Sequence, residues 1–230
     1  MLSAAKKQAR FVLITAGGRG LRMGSAMPKQ FVEIGGRPVL MHTLAKFYGC
    51  RPMAEIIVTL PADMLAYWGE LCRRFAFGIP HRVVEGGATR FHSVANALGA
   101  AGSGLIAVHD GVRPFVSEAV IEACFAAAEE HGAAVPVVEL ADSLRELTDA
   151  EGGSRAVDRS RFVRVQTPQT FRSELLKEAY RQPYRPEFTD EAAAVEALGA
   201  SVVTVPGNAE NIKITSPTDL LLAELILQKQ

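Results

Sequence analysis

The sequence is short of cysteine, has no excess of charge of either sign and has no long apolar run. Its 230 residues include three cysteines, and Lys plus Arg number 25, as do Asp plus Glu. Cys50, Cys72 and Cys124 are too widely spaced for a metal-ligand or redox pair, so we expect reduced, buried thiols. The neutral balance argues against a nucleic-acid binder, which usually carries a strong excess of Lys and Arg.

The apolar content is suited to a single folded domain and not to a membrane span. The apolar stretch at residues 11–16 falls well below the ~18 residues of a span, and it is also too short for a signal peptide. We therefore expect a cytoplasmic protein with no membrane partner. At 48% apolar residues, a chain of this length buries roughly 70–75% of its unfolded surface without a metal or disulfide. We expect one domain over residues 1–230.

Short apolar runs alternate with segments of helical periodicity. The predicted strands are 11–14, 55–60, 105–108, 133–140, 201–205 and 211–215. The predicted helices are 37–48, 62–77, 93–98 and 118–131, followed by a helix capped by Ser173, one that begins at Thr189–Asp190 and one that opens with a capping box at Ser216. The recurrence of strand, loop and helix predicts an α/β fold with a doubly wound, mostly parallel, Rossmann-like sheet. In such a fold, ligands bind beyond the carboxyl ends of the strands.

Residues 141–165 interrupt this rhythm. Residues 143–148 alternate apolar and polar side chains, 149–153 can form a turn, and 162–165 can form a returning strand. This pattern predicts an antiparallel β-arm that projects from the main sheet. Because the edges of an exposed hairpin need cover, we expect a homodimer formed through this arm.

The glycine-rich stretch at residues 15–30 is the most informative motif. It fits neither the dinucleotide fingerprint, because the sixth place counted from Gly18 and Gly20 is Met23, nor the Walker pattern, which needs Gly-Lys-Ser/Thr. Its basic side chains are Arg19, Arg22 and Lys29. Backbone amides of such a loop can approach phosphates closely, which favours binding of a nucleoside triphosphate. The alternative is a tight turn with solvated charges.

The order of the motifs along the chain resembles one enzyme family. The motifs are Gly-x-Arg-Met-Gly with Pro-Lys-Gln at 28–30, and the segments 85–90, 108–114, 157–159, 166–169, 189–191 and 211–215. From Ala16 to the last helix they resemble the sugar- and polyol-phosphate nucleotidyltransferases, and more narrowly the 2-C-methyl-D-erythritol 4-phosphate cytidylyltransferase family. That resemblance implies cytidylyl transfer from CTP to 2-C-methyl-D-erythritol 4-phosphate, with Mg²⁺ or another hard divalent cation, in non-mevalonate isoprenoid synthesis. The products would be 4-diphosphocytidyl-2-C-methyl-D-erythritol and pyrophosphate.

The resemblance also implies a role for individual residues. Catalytic roles fall on Arg22 and Lys29, for charge in the transition state, and on Arg159 and Lys213, for placing the attacking phosphate. Nucleotide-binding roles fall on Ala16, Gly17, Gly18, Gly20, Gly87, Ser93 and Asp110, and Asp110 is also the expected metal ligand. Substrate-binding roles fall on Arg113, Ser143, Thr167, Thr189 and Asp190. Arg159 is expected to reach from the arm into the site of the partner subunit.

Several of these residues have a simpler interpretation. Asp110 can form an Asx turn before a glycine, Ser93 can cap its helix, and Thr189 with Asp190 can cap another. Arg159 and Lys213, taken alone, would be exposed charges.

Two departures from the family pattern keep a rival substrate open. Residues 16–18 read Ala-Gly-Gly and 109–113 read His-Asp-Gly-Val-Arg, which leaves ribitol 5-phosphate as an alternative acceptor. A catalytically inactive nucleotide-binding module is a further alternative, because fold does not imply function. The failed glycine fingerprint disfavours an NAD-dependent oxidoreductase.

Overall fold

A mixed, mostly parallel sheet of eight strands runs through the centre of the protein. The computed structural model describes residues 8–18, 27–149 and 152–229. Its strands are β1 (Arg10–Thr15), β2 (Glu33–Ile34), β3 (Arg37–Pro38), β4 (Glu55–Leu60), β5 (Arg82–Glu85), β6 (Leu105–Asp110), β7 (Ala133–Glu139), β8 (Arg145–Leu147), β9 (Ser154–Ala156), β10 (Val163–Val165), β11 (Gln169–Arg172) and β12 (Val203–Pro206). Its helices are α1 (Val39–Gly49), α2 (Leu65–Arg74), α3 (Arg90–Ala100), α4 (Glu118–His131), α5 (Ser173–Ala179), α6 (Glu191–Glu196) and α7 (Pro217–Leu227).

The order of the main sheet is β10-β7-β11-β6-β1-β4-β5, and β12 also pairs with β7. The pairs β1–β4, β1–β6, β4–β5 and β7–β12 are parallel, whereas β10 and β11 run antiparallel to their neighbours. Thr15 is in register with both Thr59 and Asp110. The carboxyl ends of β1, β4 and β6 therefore meet at one edge, and the predicted α/β, mostly parallel fold is confirmed.

The central strands are buried on both faces, as parallel strands between two helical layers must be. In β1, Val12 and Ile14 pack into a cluster with Trp68 of α2 and Phe125 of α4. Leu13, between them, points to the opposite cluster with α3, α5 and α6. The apolar run at 11–14 is continuous, and not alternating, because each face needs its own apolar side chains.

Side-chain caps set the start of several helices. The Ser117 hydroxyl accepts from the Val120 N–H, and Asp190 accepts from the Ala193 N–H. Ser216 and Asp219 form a reciprocal capping box at the start of α7. These predicted starts are confirmed, and each such cap is worth about 1 kcal/mol.

Two predicted helix starts are wrong. The helix predicted from residue 93 begins at Arg90, and its N-cap is Thr89, whose hydroxyl accepts from the His92 N–H. At α5 the N-cap is Arg172, with no side-chain cap bond, and Ser173 is the first helical residue. The Ser173 hydroxyl accepts instead from the Gly104 N–H at 3.0 Å. The hydroxyl that we expected to cap the helix is therefore engaged in a tertiary hydrogen bond.

The projecting arm is shorter than predicted. β8 pairs with β9, and not with residues 162–165, so the projecting hairpin lies within residues 145–156. β10 belongs to the main sheet, where Val163 is opposite Glu139 of β7. The reason is that β11 pairs with the start of β7 alone, and the rest of that edge is open for β10.

Residues 211–215, all within the described part of the chain, do not form the predicted final strand. The Ile214 N–H donates to the Val112 carbonyl at 3.0 Å, but no ladder follows. The alternation of polar and apolar residues here does not match the burial, because the polar Asn211 is buried together with Ile214 while Lys213 is exposed. Asn211 is anchored by its side chain, which donates to the Thr167 carbonyl at 2.8 Å.

The helices in the described part of the chain all lack the length and apolar character that crossing a membrane would require.

Candidate active site

A cavity of about 910 Å³ opens at the carboxyl ends of β1, β4, β5 and β6. This is where ligands bind in a doubly wound fold, and the volume lies in the range of small-molecule sites. The predicted site residues in its wall are Ala16, Gly17, Gly18, Lys29, Gly87, Ser93, Asp110 and Lys213. The structure therefore brings together side chains that are distributed over most of the chain.

One part of the wall is built around the buried hydroxyl of Ser93. That oxygen accepts from the Gly87 N–H at 3.0 Å and donates to the Thr89 carbonyl at 2.9 Å. A Cβ on Gly17 would lie 3.3 Å from the same oxygen, and one on Gly86 would lie 3.2 Å from it. Glycine at these positions therefore lets two loops approach the hydroxyl closely. Ser93 is not the helix cap of the alternative interpretation.

Gln30, which was not predicted as a site residue, connects the segment that carries Lys29 to the end of β1. Its buried side-chain amide donates to the Ala16 carbonyl at 2.6 Å. The neighbouring Lys29 is half-buried, and its ammonium lies 3.4 Å from the Thr215 carbonyl. Gln30 is part of the Pro-Lys-Gln motif, but the sequence does not indicate which group a neutral amide will contact, so its role in holding the loop was not predicted.

Asp110 is the centre of the charged part of the cavity. Arg113 Nε donates to Oδ2 at 3.0 Å, Lys213 Nζ lies 3.1 Å from Oδ2, and Arg90 Nη2 lies 3.6 Å from Oδ1. Burial by itself would raise the pKa of this carboxyl, but Arg90, Lys213 and Arg113 hold the pKa well below its usual range. Asp110 is therefore ionised at neutral pH, and it is not simply the cap of an Asx turn.

A buried pair behind Asp110 holds its backbone. The Thr167 hydroxyl accepts from the Asp110 N–H at 3.1 Å and lies 3.0 Å from His109 Nδ1. His109 Nε2 is 3.0 Å from the Arg113 carbonyl, so Nε2 carries the proton and Nδ1 accepts from Thr167. Burial lowers the pKa of His109 to about 4, and the ring is neutral. Thr167, expected at the substrate, supports Asp110 from behind.

A second buried ion pair was not assigned from the sequence. Arg90 and Glu191 both lie in family motifs, at the end of segment 85–90 and of segment 189–191. Their side chains make two hydrogen bonds to each other, and Tyr180 donates a third to Glu191. The spacing of the two motifs along the chain could not predict this ion pair, because the contact joins α3 to α6.

Other expected site residues lie outside the cavity wall. Arg159, Ser143 and Thr189 are exposed, and the Arg159 guanidinium donates to the Ala141 carbonyl. Asp190 caps α6 and accepts from the Gln169 amide at 2.8 Å, as the capping alternative predicted. Arg22 and Gly20 fall outside the described residues.

The fold and this arrangement, with the glycines after β1, a lysine and an ionised aspartate in one cavity at the ends of parallel strands, are those of an α/β nucleotidyltransferase. Residues 11–229 match the family model described as "IspD: 2-C-methyl-D-erythritol 4-phosphate cytidylyltransferase". The chain belongs to this family. The predicted activity, cytidylyl transfer from CTP to 2-C-methyl-D-erythritol 4-phosphate in isoprenoid synthesis, is thereby confirmed.

Relatives and solved structures agree with the family match. The chain is 55% identical over 223 residues to 2-C-methyl-D-erythritol 4-phosphate cytidylyltransferase of Porphyromonas gingivalis ATCC 33277, covering 96% of this chain and 99% of that protein. It is 52% identical over 217 residues to the protein of the same name from Bacteroides thetaiotaomicron, covering 94% and 98%. The crystal structure of that enzyme from Thermus thermophilus has a TM-score of 0.79 and 40% identity, covering 96% and 99%.

Proposed function

We propose that the cavity binds CTP between the glycine loop and Asp110. The cytosine base lies against the Gly87 and Ser93 wall, where backbone groups can read its edge. The triphosphate lies along the loop at residues 16–18 and contacts Lys29. The observation that supports this proposal is that one cavity gathers the backbone and hydroxyl wall, Lys29 and an ionised carboxylate. Positive charge and loop amides are what a triphosphate needs.

Mg²⁺ fits this cavity as a partner of CTP. The described residues contain no cluster of three His, Cys, Asp or Glu side chains that would hold a metal by itself. Mg²⁺ commonly binds through one or two carboxylates together with substrate phosphates and water. Asp110 is ionised and lies in the cavity wall, so it suits the single protein ligand. A bound Mg²⁺ supplies charge neutralisation for the triphosphate.

The chemistry requires positioning and fixed charge. The phosphate of methylerythritol phosphate has a second pKa of ~6, so at neutral pH it is largely a dianion and needs no general base. One of its oxygens attacks the α-phosphorus of CTP, a new P–O bond forms, and the bond to pyrophosphate breaks. Lys213 places the attacking phosphate, while Lys29 and Arg22 stabilise charge on the reacting phosphoryl group and on pyrophosphate. Arg113 orients Asp110.

The hairpin at residues 145–156 and the segments that flank it complete the site of a second subunit. Arg159 and Ser143 are exposed in their own chain and lie outside its cavity wall. Leu147, Phe162 and Val163 are also exposed on the arm and the neighbouring strand, and such an apolar surface favours association. We propose a homodimer in which Arg159 reaches the polyol phosphate bound by the partner.

The three thiols favour a cytoplasmic location. Cys50, Cys72 and Cys124 are free, and burial raises the pKa of each. Unpaired, unreactive thiols are typical of proteins from a reducing compartment.

Pyrophosphate release tests the proposed function. CTP and Mg²⁺ are supplied with methylerythritol 4-phosphate or with ribitol 5-phosphate in parallel reactions. We expect release with the first acceptor at a kcat/KM at least about 100-fold above that with the second, as for a site built to hydrogen-bond its own substrate. Preference for ribitol 5-phosphate would show that the assignment of methylerythritol 4-phosphate as the acceptor is wrong. Release with neither, despite CTP binding, would support the inactive-module alternative.

A further inference from the structure

Glu191 carries a carboxylate at a completely buried position. Its side chain is 0% exposed, and it is the first residue of α6. The Arg90 guanidinium donates to both carboxylate oxygens, with Nη2 3.0 Å from Oε2, and the Tyr180 hydroxyl donates to Oε1 at 3.0 Å. A buried carboxylate is tolerated when a cation and hydrogen bonds satisfy its oxygens in this way.

Arg90 connects this buried pair to the cavity. Burial would lower the pKa of its guanidinium, but the carboxylates of Glu191 and Asp110 raise that pKa above its ordinary value, so the group stays charged. Arg90 lines the cavity wall as the first residue of α3. The nitrogen that donates to Glu191 Oε2, Nη2, lies 3.6 Å from Asp110 Oδ1.

The two oxygens of Asp110 are therefore held by different partners. Arg113 and Lys213 contact Oδ2, and Arg90 approaches Oδ1. Cations on both oxygens favour one rotation of the carboxylate about its own axis, and Arg90 supplies the contact on the Oδ1 side at 3.6 Å. The charge of Arg90 also acts on Asp110, since it lowers the pKa of this carboxyl more than any other cation does, and Glu191 holds that charge in place.

Tyr180 donates to Oε1 of Glu191, the oxygen that also accepts from Arg90 Nη1. Its ring stacks on Phe91 with centroids 4.4 Å apart and an interplanar angle of 14°. Burial and the adjacent Glu191 carboxylate raise the pKa of the phenol, so the hydroxyl keeps its proton and acts as the donor. The ring thus locks the carboxylate in the orientation that Arg90 requires.

We infer that Glu191 is a positioning residue for cytidylyl transfer: through Arg90 it fixes the orientation of the Asp110 carboxylate in the CTP cavity. Glu191 does not line the cavity, so it acts without touching substrate. The inference rests on the role proposed above for Asp110.

The test compares Glu191→Gln with Glu196→Gln, an exposed glutamate on the same helix. The amide keeps the shape of the side chain but loses the charge that holds Arg90. We expect kcat/KM for pyrophosphate release to fall about 10- to 100-fold in Glu191→Gln, the order of loss for a misplaced site group. Glu196→Gln should match the wild type. If the wild type and Glu196→Gln themselves release no pyrophosphate, the proposed function has failed, and not this inference.

A double-mutant cycle separates positioning from a merely structural role. In an Asp110→Asn background, adding Glu191→Gln should cost less than about 3-fold, because the group that it orients is already altered. Tyr180→Phe removes one hydrogen bond to Glu191 and leaves the buried ion pair, so it remains measurable if Glu191→Gln does not fold. We expect a smaller fall in kcat, of about 3-fold, for that variant. Additive losses in the cycle, or a lowered Tm with unchanged kcat and KM in Tyr180→Phe, would overturn the inference.

Discussion

The Lys213 ammonium lies 3.1 Å from Oδ2 of Asp110. Asp110 ends β6, whereas Lys213 lies in the segment that precedes α7. The Lys213 side chain is 44% exposed, whereas that of Arg113, the other cation on the same oxygen, is 13% exposed. Lys213 is therefore the cation with the more open approach to a second anion, such as the phosphate of the acceptor.

Replacing Lys213 should damage use of the polyol phosphate more than CTP binding. Lys213→Met keeps the aliphatic stem and removes the charge. We expect kcat/KM for methylerythritol phosphate to fall about 10²–10³-fold, as when a fixed charge-stabilising donor is lost, and the Kd of CTP to change by less than about 3-fold. Steady-state kinetics and calorimetric titration measure the two quantities. Lys229→Met, at an exposed position, is the control. Equal loss of CTP affinity would contradict the assignment.

Lys29→Ala should act on the transition state itself. The half-buried ammonium lies 3.4 Å from the Thr215 carbonyl, and Lys29 lines the same cavity as residues 15–18, so bulk solvent cannot replace its charge. We expect kcat to fall about 10²–10³-fold, or roughly 3–4 kcal/mol of transition-state stabilisation. Near-normal turnover in a protein with wild-type circular dichroism would disprove this role.

Mixing two inactive variants tests the exchanged arm. If Arg159 serves the partner's cavity, a heterodimer of Arg159→Ala and Lys29→Ala contains one site with both residues intact. Random reassociation of equal amounts makes half of the dimers mixed, so about one quarter of wild-type activity should return. Each variant alone should remain inactive after the same treatment. No recovery, with mixed dimers confirmed by mass, would mean that Arg159 does not serve the partner subunit.

Gly87 has no room for a side chain. A Cβ there would lie 2.4 Å from the Cβ of His92 and 2.8 Å from its carbonyl carbon. We expect Gly87→Ala to lower the free energy of unfolding by about 1–3 kcal/mol and to weaken CTP binding through the Ser93 contact. Urea denaturation measures the first effect. Gly78→Ala is the matched control, because its Cβ would meet no atom within 4 Å, and its stability should stay close to that of the wild type.

The cysteines should react slowly in the folded protein. Burial raises the pKa of Cys50 from 9.0 to about 11 and that of Cys124 to about 12. At pH 8 the thiolate fraction of Cys50 is then about 100-fold lower than in an open chain. Cys72, less buried and also raised in pKa, should react first with a disulfide reagent. In guanidinium chloride all three should react at one fast rate. Rapid labelling of all three in the native protein would contradict the burial.

Local patterns predicted the fold wherever local chemistry decides it. The apolar run at 11–14 indicates a strand that is covered on both faces. Ser216, Pro217 and Asp219 have the residue types and spacing of a helix start. The same reasoning failed where a distant group competed for a side chain. Ser173 bonds Gly104 instead of capping α5, and residues 163–165 of the predicted returning strand pair with β7 instead of with the arm.

The candidate site divides in the same way. Lys29, Asp110 and Lys213 were predicted because each is a charged residue within a family motif, and such motifs can be recognised from the sequence alone. Gln30, Tyr180 and the Arg90–Glu191 pair were not assigned, because their function is a contact between elements that are remote along the chain.

Ordered motifs and apolar periodicity are properties of the chain alone, so they were enough to predict the family, the reaction and the α/β order of elements. Only folding places three cations around Asp110, sets the Thr167 hydroxyl against the Asp110 N–H and buries Glu191. The physical reason is that hydrogen bonds, burial and charge act over a few ångströms in space. The separation of two residues along the chain does not give their distance in space, which is set only when the helices pack on the sheet.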